Sequence, residues 1–186
     1  MLLIESDQYS IEDSNIALLN GEVNSEMSEY FIKFMIEKNL KDDDKPKPTH
    51  LKVIINSCGG FIYDAFAIID IMNSFSIPVH TYGTGIIASC GLLIFMSGEK
   101  GNRFLLKNTS ILSHQFSGFR EGKEHELKAT EKEDKLVSKR MQKMYENATG
   151  MSKEDIFKIL LPPEDVWLSP QEARRYGLCD KIIDKI

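Results

Sequence analysis

The chain has 186 residues, 42% of them hydrophobic and 27% charged, which suits one globular domain with its own core and excludes a disordered, collagenous or coiled-coil chain. Its 28 acidic and 23 basic residues leave a net charge of -5, which gives nucleic acid no electrostatic footing, and the longest apolar run, Gly85 to Met96, is too short and too interrupted for a membrane span. Three cysteines without a Cys-x-x-Cys spacing, and an opening MLLIESDQYS without a basic stretch, argue against a disulfide framework, a zinc site and a secretory signal, and point to a soluble protein of a reducing cytoplasm.

In chain order, IALLNG (Ile16 to Gly21) reads as a short buried strand, and Met27 to Asn39 as a helix with Tyr30 or Phe31, Phe34 and Met35 on one face. Residues 37 to 50 are polar with two prolines and read as a surface loop. LKVIIN (Leu51 to Asn56) is apolar and too short for a helix; the turn Ser57-Cys58-Gly59-Gly60 and the helix FIYDAFAIIDIMNSF complete a second βα unit. A strand PVHTY (Pro78 to Tyr82), a glycine-rich turn and the apolar helix ASCGLLIFMSG follow, then strands at NRFLL and TSILSH. Alternation of near-continuously apolar strands with helices predicts an α/β fold with a parallel sheet covered on both faces.

From Arg120 to Lys135, eleven of sixteen residues are charged, six acidic and five basic, with Glu124/Lys128 and Glu131/Lys135 at i,i+4. This predicts a solvated helix. Val137, Met141, Met144 and Ala148 then give it an apolar stripe, which is expected to need a partner. Ser152 is placed to cap a short helix, and Ser169-Pro170-Gln171-Glu172 to cap another, which Gly177 ends before LCDKII.

Three residues and two turns suit chemistry. Ser89, between an apolar strand and an apolar helix, is either a capping serine or a nucleophile whose oxyanion lies near backbone N–H groups. Gly83-x-Gly85-x-x-Ala88 formally matches a dinucleotide fingerprint, but position 103 is Arg where an acidic residue belongs. His114 ends the stretch Thr109 to Leu112 and is either structural or a general base. Glu164 and Asp165 compete as the carboxylate before the helix capped by Ser169. In Asn56-Ser57-Cys58-Gly59-Gly60 two glycines let a peptide N–H face a ligand, and an oxyanion is a better fit than a phosphate. His50, His80 and His125 are assigned no chemistry.

Taken together, Ile55-Asn56-Ser57-Cys58-Gly59-Gly60, Gly85 to Gly91, Ser113-His114-Gln115, and Asp165 before Leu168-Ser169-Pro170 and Tyr176-Gly177-Leu178-Cys179-Asp180 closely resemble the ClpP family of serine peptidases. The intervals Gly60 to Ser89 (29 positions) and Ser89 to His114 (25) agree with the family without a gap, and the similarity runs from about Ile16 to the C-terminus. The resemblance implies the ClpP/crotonase-type ββα superhelix with a protruding handle helix: a short N-terminal segment at 1–15, a peptidase domain at 16–186, and the handle at 118–149. It also implies a serine endopeptidase with Ser89 as nucleophile, His114 as general base and then acid, and Asp165, rather than Glu164, as orienting carboxylate. The N–H groups of Gly60 and Cys90 would form the oxyanion hole, and a strand near Gln115 to Gly122 would bind the substrate backbone.

The implied assembly is a homo-oligomer, a double heptameric ring around a chamber, acting on peptides or unfolded proteins. No metal or cofactor is implied in the subunit. ATP would enter only through a partner, a Clp-type AAA+ unfoldase. Cys58 stands where the family usually has proline and Cys90 where it usually has methionine. Two extra residues fall between His114 and Asp165, near Leu161-Pro162-Pro163, and about fifteen residues precede the Ile16 strand, leaving little chain for a gating loop. The alternatives are a catalytically silent ring subunit and a crotonase-type acyl-CoA enzyme, which shares the superhelix but needs no Ser-His-Asp set.

Overall fold

The computed structural model describes residues 14–40, 47–118 and 120–186. Seven strands and six helices occur among them: β1 (Ile16–Val23), α1 (Ser25–Leu40), β2 (Leu51–Gly60), α2 (Ile62–Ser74), β3 (Val79–Ala88), α3 (Cys90–Met96), β4 (Arg103–Leu106), β5 (Ser110–Ser113), α4 (Glu124–Thr149), α5 (Lys153–Ile159), β6 (Val166–Leu168), α6 (Pro170–Arg175) and β7 (Lys181–Ile183). The order β1-β2-β3-β4-β7 is parallel throughout; β5 joins β3 in parallel and carries β6 antiparallel.

The parallel sheet is present, but its two faces are not equally covered. Along β2 the side chains of Leu51, Val53 and Ile55 are fully buried, whereas Lys52, Ile54 and Asn56 are half-buried. Helices α1, α2 and α3 pack on one another and on the strands, so the subunit has one dry face and one partly wet one. Every residue of α3 is buried. In α1 the buried face is Met27, Phe31, Phe34 and Met35, which settles the choice in favour of Phe31 over the half-buried Tyr30.

Two expected turns are strand instead. β2 continues through Ser57-Cys58-Gly59-Gly60 and β3 through Gly83 and Gly85. Parallel pairing runs Ile55↔Gly83 and then Ser57↔Ile87, so β3 carries two extra residues opposite Asn56. The Asn56 side chain stitches this bulge: its Oδ1 accepts from Ile86 N at 3.0 Å, and its Nδ2 donates to Asn20 Oδ1 on β1 at 2.8 Å. Gly85, at φ +60°, is the residue that admits it, since a Cβ there would lie 2.4 Å from Asn56 Oδ1. The Gly-x-Gly-x-x-Ala pattern therefore lies inside a strand, and the dinucleotide loop it would require does not form.

Helix α4 begins exposed and finishes packed, as its charge pattern predicts. The stripe, however, is buried within the subunit: Val137 is fully buried, Met141 and Ala148 nearly so, and Tyr145 joins them. It packs toward α3 and α5, and the expectation that it needs a second chain is corrected. Ser152 and Ser169 cap α5 and α6 as expected, Ser169 with the full box in which Ser169 N donates to Glu172 Oε2 and Glu172 N to Ser169 Oγ. The handle's expected strand near 115 to 122 is absent among the described residues of that range. Of the loop expected at 37 to 50, residues 37–40 are the last turn of α1 instead and 47–50 are non-helical; 41–46 and most of the 1–15 segment lie outside the described residues.

Candidate active site

The parallel strands aim their C-terminal ends at one edge of the molecule, where loops leave the sheet. Two registers decide which side chains meet there. Ala88 of β3 stands beside Leu112 of β5, and Ser89 N donates to Leu112 O at 3.1 Å. Ser113 of β5 pairs antiparallel with Val166 of β6. Ser89, one residue past Ala88, His114, one past Ser113, and Asp165, one before Val166, thus come to the same edge from three distant parts of the chain.

Ser89 occupies the N-cap position of α3, yet its side chain makes no capping hydrogen bond. The capping role is therefore unfilled. Its backbone sits at φ +56°, ψ -129°, and it has the only positive φ of a non-glycine residue among the described residues. Such strain persists only where surroundings enforce it. On the β2 side the packing is close: a Cβ on Gly59 would lie 2.6 Å from Ser89 Cβ and 3.0 Å from Ala88 O, so only glycine leaves room for the serine there. Gly60 is likewise closed against a side chain, 2.2 Å from Val23 O.

Cys90 follows Ser89 and is buried. Burial pushes its thiol up to about 11, against the backbone N–H groups of Gly60 and of Cys90 itself, which favour the thiolate. The backbone N–H groups of Gly60 and Cys90 thus share one neighbour, the Cys90 side chain that directly follows Ser89. Cys58 is exposed, and Cys179 is buried, its thiol pushed up to about 12 chiefly by burial.

His114 is half-buried, and its Nδ1 lies 2.6 Å from Gln115 O. A carbonyl oxygen can only accept, so Nδ1 carries a proton, which in the neutral ring leaves the lone pair on Nε2. That is the tautomer a general base needs. Asp165 is exposed and makes no hydrogen bond or ion pair among the described residues, so the backbone of Gln115, rather than a carboxylate, orients the imidazole here. Glu164 is also exposed. His80 and His50 stack, centroids 4.2 Å apart, at the opposite ends of β3 and β2, with His80 Nε2 3.1 Å from Glu99; both are remote in the sheet from Ser89. A cavity of about 440 Å³ between α2 and α4 is lined by Ile69, Asn73, Arg140 and Met144 among others, and by none of Ser89, His114 or Asp165.

Residues to which the sequence assigned no role of their own also shape the site. Asn56 sets the β3 bulge ahead of Ser89, and Tyr145 reaches β5 from α4: Ser113 Oγ lies 2.6 Å from Tyr145 OH. The signal for the latter was a tyrosine one position along from Met144 on an apolar stripe.

A mixed α/β subunit whose parallel sheet delivers a strained serine and a histidine to one edge defines the class. The chain belongs to the Clp protease family: the family model matches residues 5–186. It is similar to the solved ClpP1 N165D mutant from Listeria monocytogenes, at 32% sequence identity over 92% of each chain, with a TM-score of 0.80. The fold is that of ClpP, and the chain is in general class a Clp-type serine peptidase. No helix among the described residues is long and apolar enough to cross a membrane.

Proposed function

We propose that the chain is a serine endopeptidase in which Ser89, His114 and Asp165 act as a triad. The observation that carries this reading is the strained, uncapped Ser89 at the sheet edge where the β3–β5 and β5–β6 registers also deliver His114 and Asp165. Ser89 Oγ attacks a peptide carbonyl while His114 Nε2 takes its proton. The N–H groups of Gly60 and Cys90 receive the oxyanion, and the proton passes to the leaving amine. Water then hydrolyses the acyl-enzyme with His114 as base again. Asp165 is one pairing step from His114, and a turn of the imidazole away from Gln115 O completes the triad. Family membership supports a homo-oligomeric ring, and a double heptamer enclosing a chamber is the assembly proposed, taking peptides and unfolded proteins alone and folded ones only with a Clp-type AAA+ unfoldase. It needs no metal or cofactor of its own.

One observation favours a second reading, a catalytically silent ring subunit: His114 Nδ1 engages Gln115 O and not Asp165. A fluorophosphonate probe separates the two. The expected result is labelling at Ser89, none in Ser89→Ala, and labelling slowed about a thousandfold or more in His114→Ala. Equal labelling of wild type and Ser89→Ala rejects the peptidase.

A further inference from the structure

The two residues that flank His114 are both tied to the end of α5. Ser113 Oγ donates to Leu160 O at 2.6 Å, and Gln115 Nε2 donates to Leu161 O at 2.8 Å. Leu160 is the C-cap of α5 and Leu161 the residue after it, where the chain leaves the helix and its carbonyls have no intrahelical partner. A serine hydroxyl has one proton, and Ser113 spends it on Leu160 O; the 2.6 Å contact to Tyr145 must then have the phenol as donor. The chain of bonds has one direction: Tyr145 O–H to Ser113 Oγ–H to Leu160 carbonyl. Ser113 is fully buried and Tyr145 is 1% exposed, and burial raises the phenol to about 12, so the donor keeps its proton throughout the neutral range.

Four residues after Leu161 the chain reaches Asp165. The two anchoring carbonyls thus bind the strand end that carries His114 and lie in the chain just ahead of the segment that carries the carboxylate, while Tyr145 belongs to the packed half of α4 beside Val137 and Met141.

We propose that Ser113, Tyr145 and Gln115 are positioning residues for His114: through the Leu160 and Leu161 carbonyls they hold its strand end in step with the Asp165 segment, and they tie that alignment to the packing of α4. The inference rests on the peptidase reading of His114, but the placement of the ring can be read independently of turnover.

Four forms of the full chain test it: wild type, Tyr145→Phe, Ser113→Ala and the double variant. Ser113→Ala leaves the Tyr145 hydroxyl buried without its partner, and the double variant removes that stranded group. The thermal midpoint is expected to fall in Ser113→Ala and recover in the double variant. Turnover of a short fluorogenic peptide is expected to stay about tenfold down in both, in kcat with KM little changed. With histidine labelled at 13Cε1, the His114 ring resonance is expected to move in both variants while that of His125 stays. A double variant that regains wild-type kcat with its stability, or a His114 resonance unmoved in both, overturns the proposal and makes the bonds structural only. If the His114 resonance moves but wild type neither turns over peptide nor labels at Ser89, the positioning holds and the peptidase reading fails instead.

Discussion

Arg103 and Asp180, 77 positions apart, meet in a two-pronged pair: Arg103 Nε reaches Asp180 Oδ2 at 2.9 Å and Nη2 reaches Oδ1 at 2.7 Å. Arg103 is 2% exposed, and its Nη1 also donates to Ala148 O at the end of α4. Asp180 Oδ2 accepts from the backbone of Gly101 and Arg103 as well. This pair fastens β7 and the C-terminal turn to β4 and to the foot of the handle helix.

Burial alone would raise the Asp180 pKa, but the hydrogen bonds and charge of Arg103 outweigh it and hold the carboxyl below its ordinary value. A depressed folded-state pKa means the stabilisation is present above the unfolded value near 3.8 and is lost as the pH falls through the lower folded one. Asp180→Asn is expected to be markedly less stable at neutral pH and to show a shallower loss on acidification, read by thermal midpoints from pH 7 to pH 3. Arg103→Met, which leaves a half-buried carboxylate unpaired, is expected to lose about 3 kcal/mol or more in denaturant titration. Parallel acid profiles for wild type and Asp180→Asn would show that the pair does not carry the dependence.

Gly59 and Gly101 share a φ of +94°, but only Gly59 has neighbours in the path of a Cβ; at Gly101 nothing lies within 4 Å. Gly101→Ala therefore bears backbone strain alone, about 1 kcal/mol. Gly59→Ala bears that strain and also pushes Ser89, so it is expected to slow acylation of Ser89 at least about tenfold while Gly101→Ala leaves the rate unchanged. Equal acylation rates in the two variants would mean Gly59 does not hold the serine.

The three thiols differ in access. Cys58 is exposed, whereas Cys90 and Cys179 are buried with thiols pushed up by desolvation. The native chain is expected to react with one equivalent of an aromatic disulfide reagent and the denatured chain with three. Mass mapping of the native adduct to Cys90 or Cys179 would contradict this order.

Ser169 closes a reciprocal capping box with Glu172 directly after β6, the strand that Asp165 leads into. Ser169→Ala is expected to lower stability by about 1 kcal/mol in urea titration. Ser169→Thr, whose hydroxyl can still accept from Glu172 N and donate to Glu172 Oε2, is expected to lose less than alanine. A loss for threonine as large as for alanine would show that the cap bonds are not what the serine contributes.

Much of the architecture was legible because it depends on local rules. The apolar runs at Leu51 and Thr109, the period of Phe31, Phe34 and Met35, and the capping pattern at Ser169 each encode an element through spacing or side-chain chemistry a few residues away. The motif intervals from Gly60 to His114 carried the family. Local reading erred where glycine meant something other than a turn. Gly83, Gly85, Gly59 and Gly60 lie in strands, where close approach by Leu105, Asn56, Ser89 and Val23 excludes a Cβ.

Sequence by itself determined the parallel α/β plan, the residue types offered for catalysis and the helix boundaries, since propensity, periodicity and capping act over one or two turns. Only the tertiary structure decided that the α4 stripe is satisfied within its own subunit, that Asn56 stitches three strands, and that Tyr145 and Ser113 fasten the strand end bearing His114. It also decided that Gln115 O, not Asp165, holds the imidazole in the single subunit. Each of these depends on register between segments tens of residues apart, which is set by how whole elements pack and leaves no trace in the spacing of neighbouring residues.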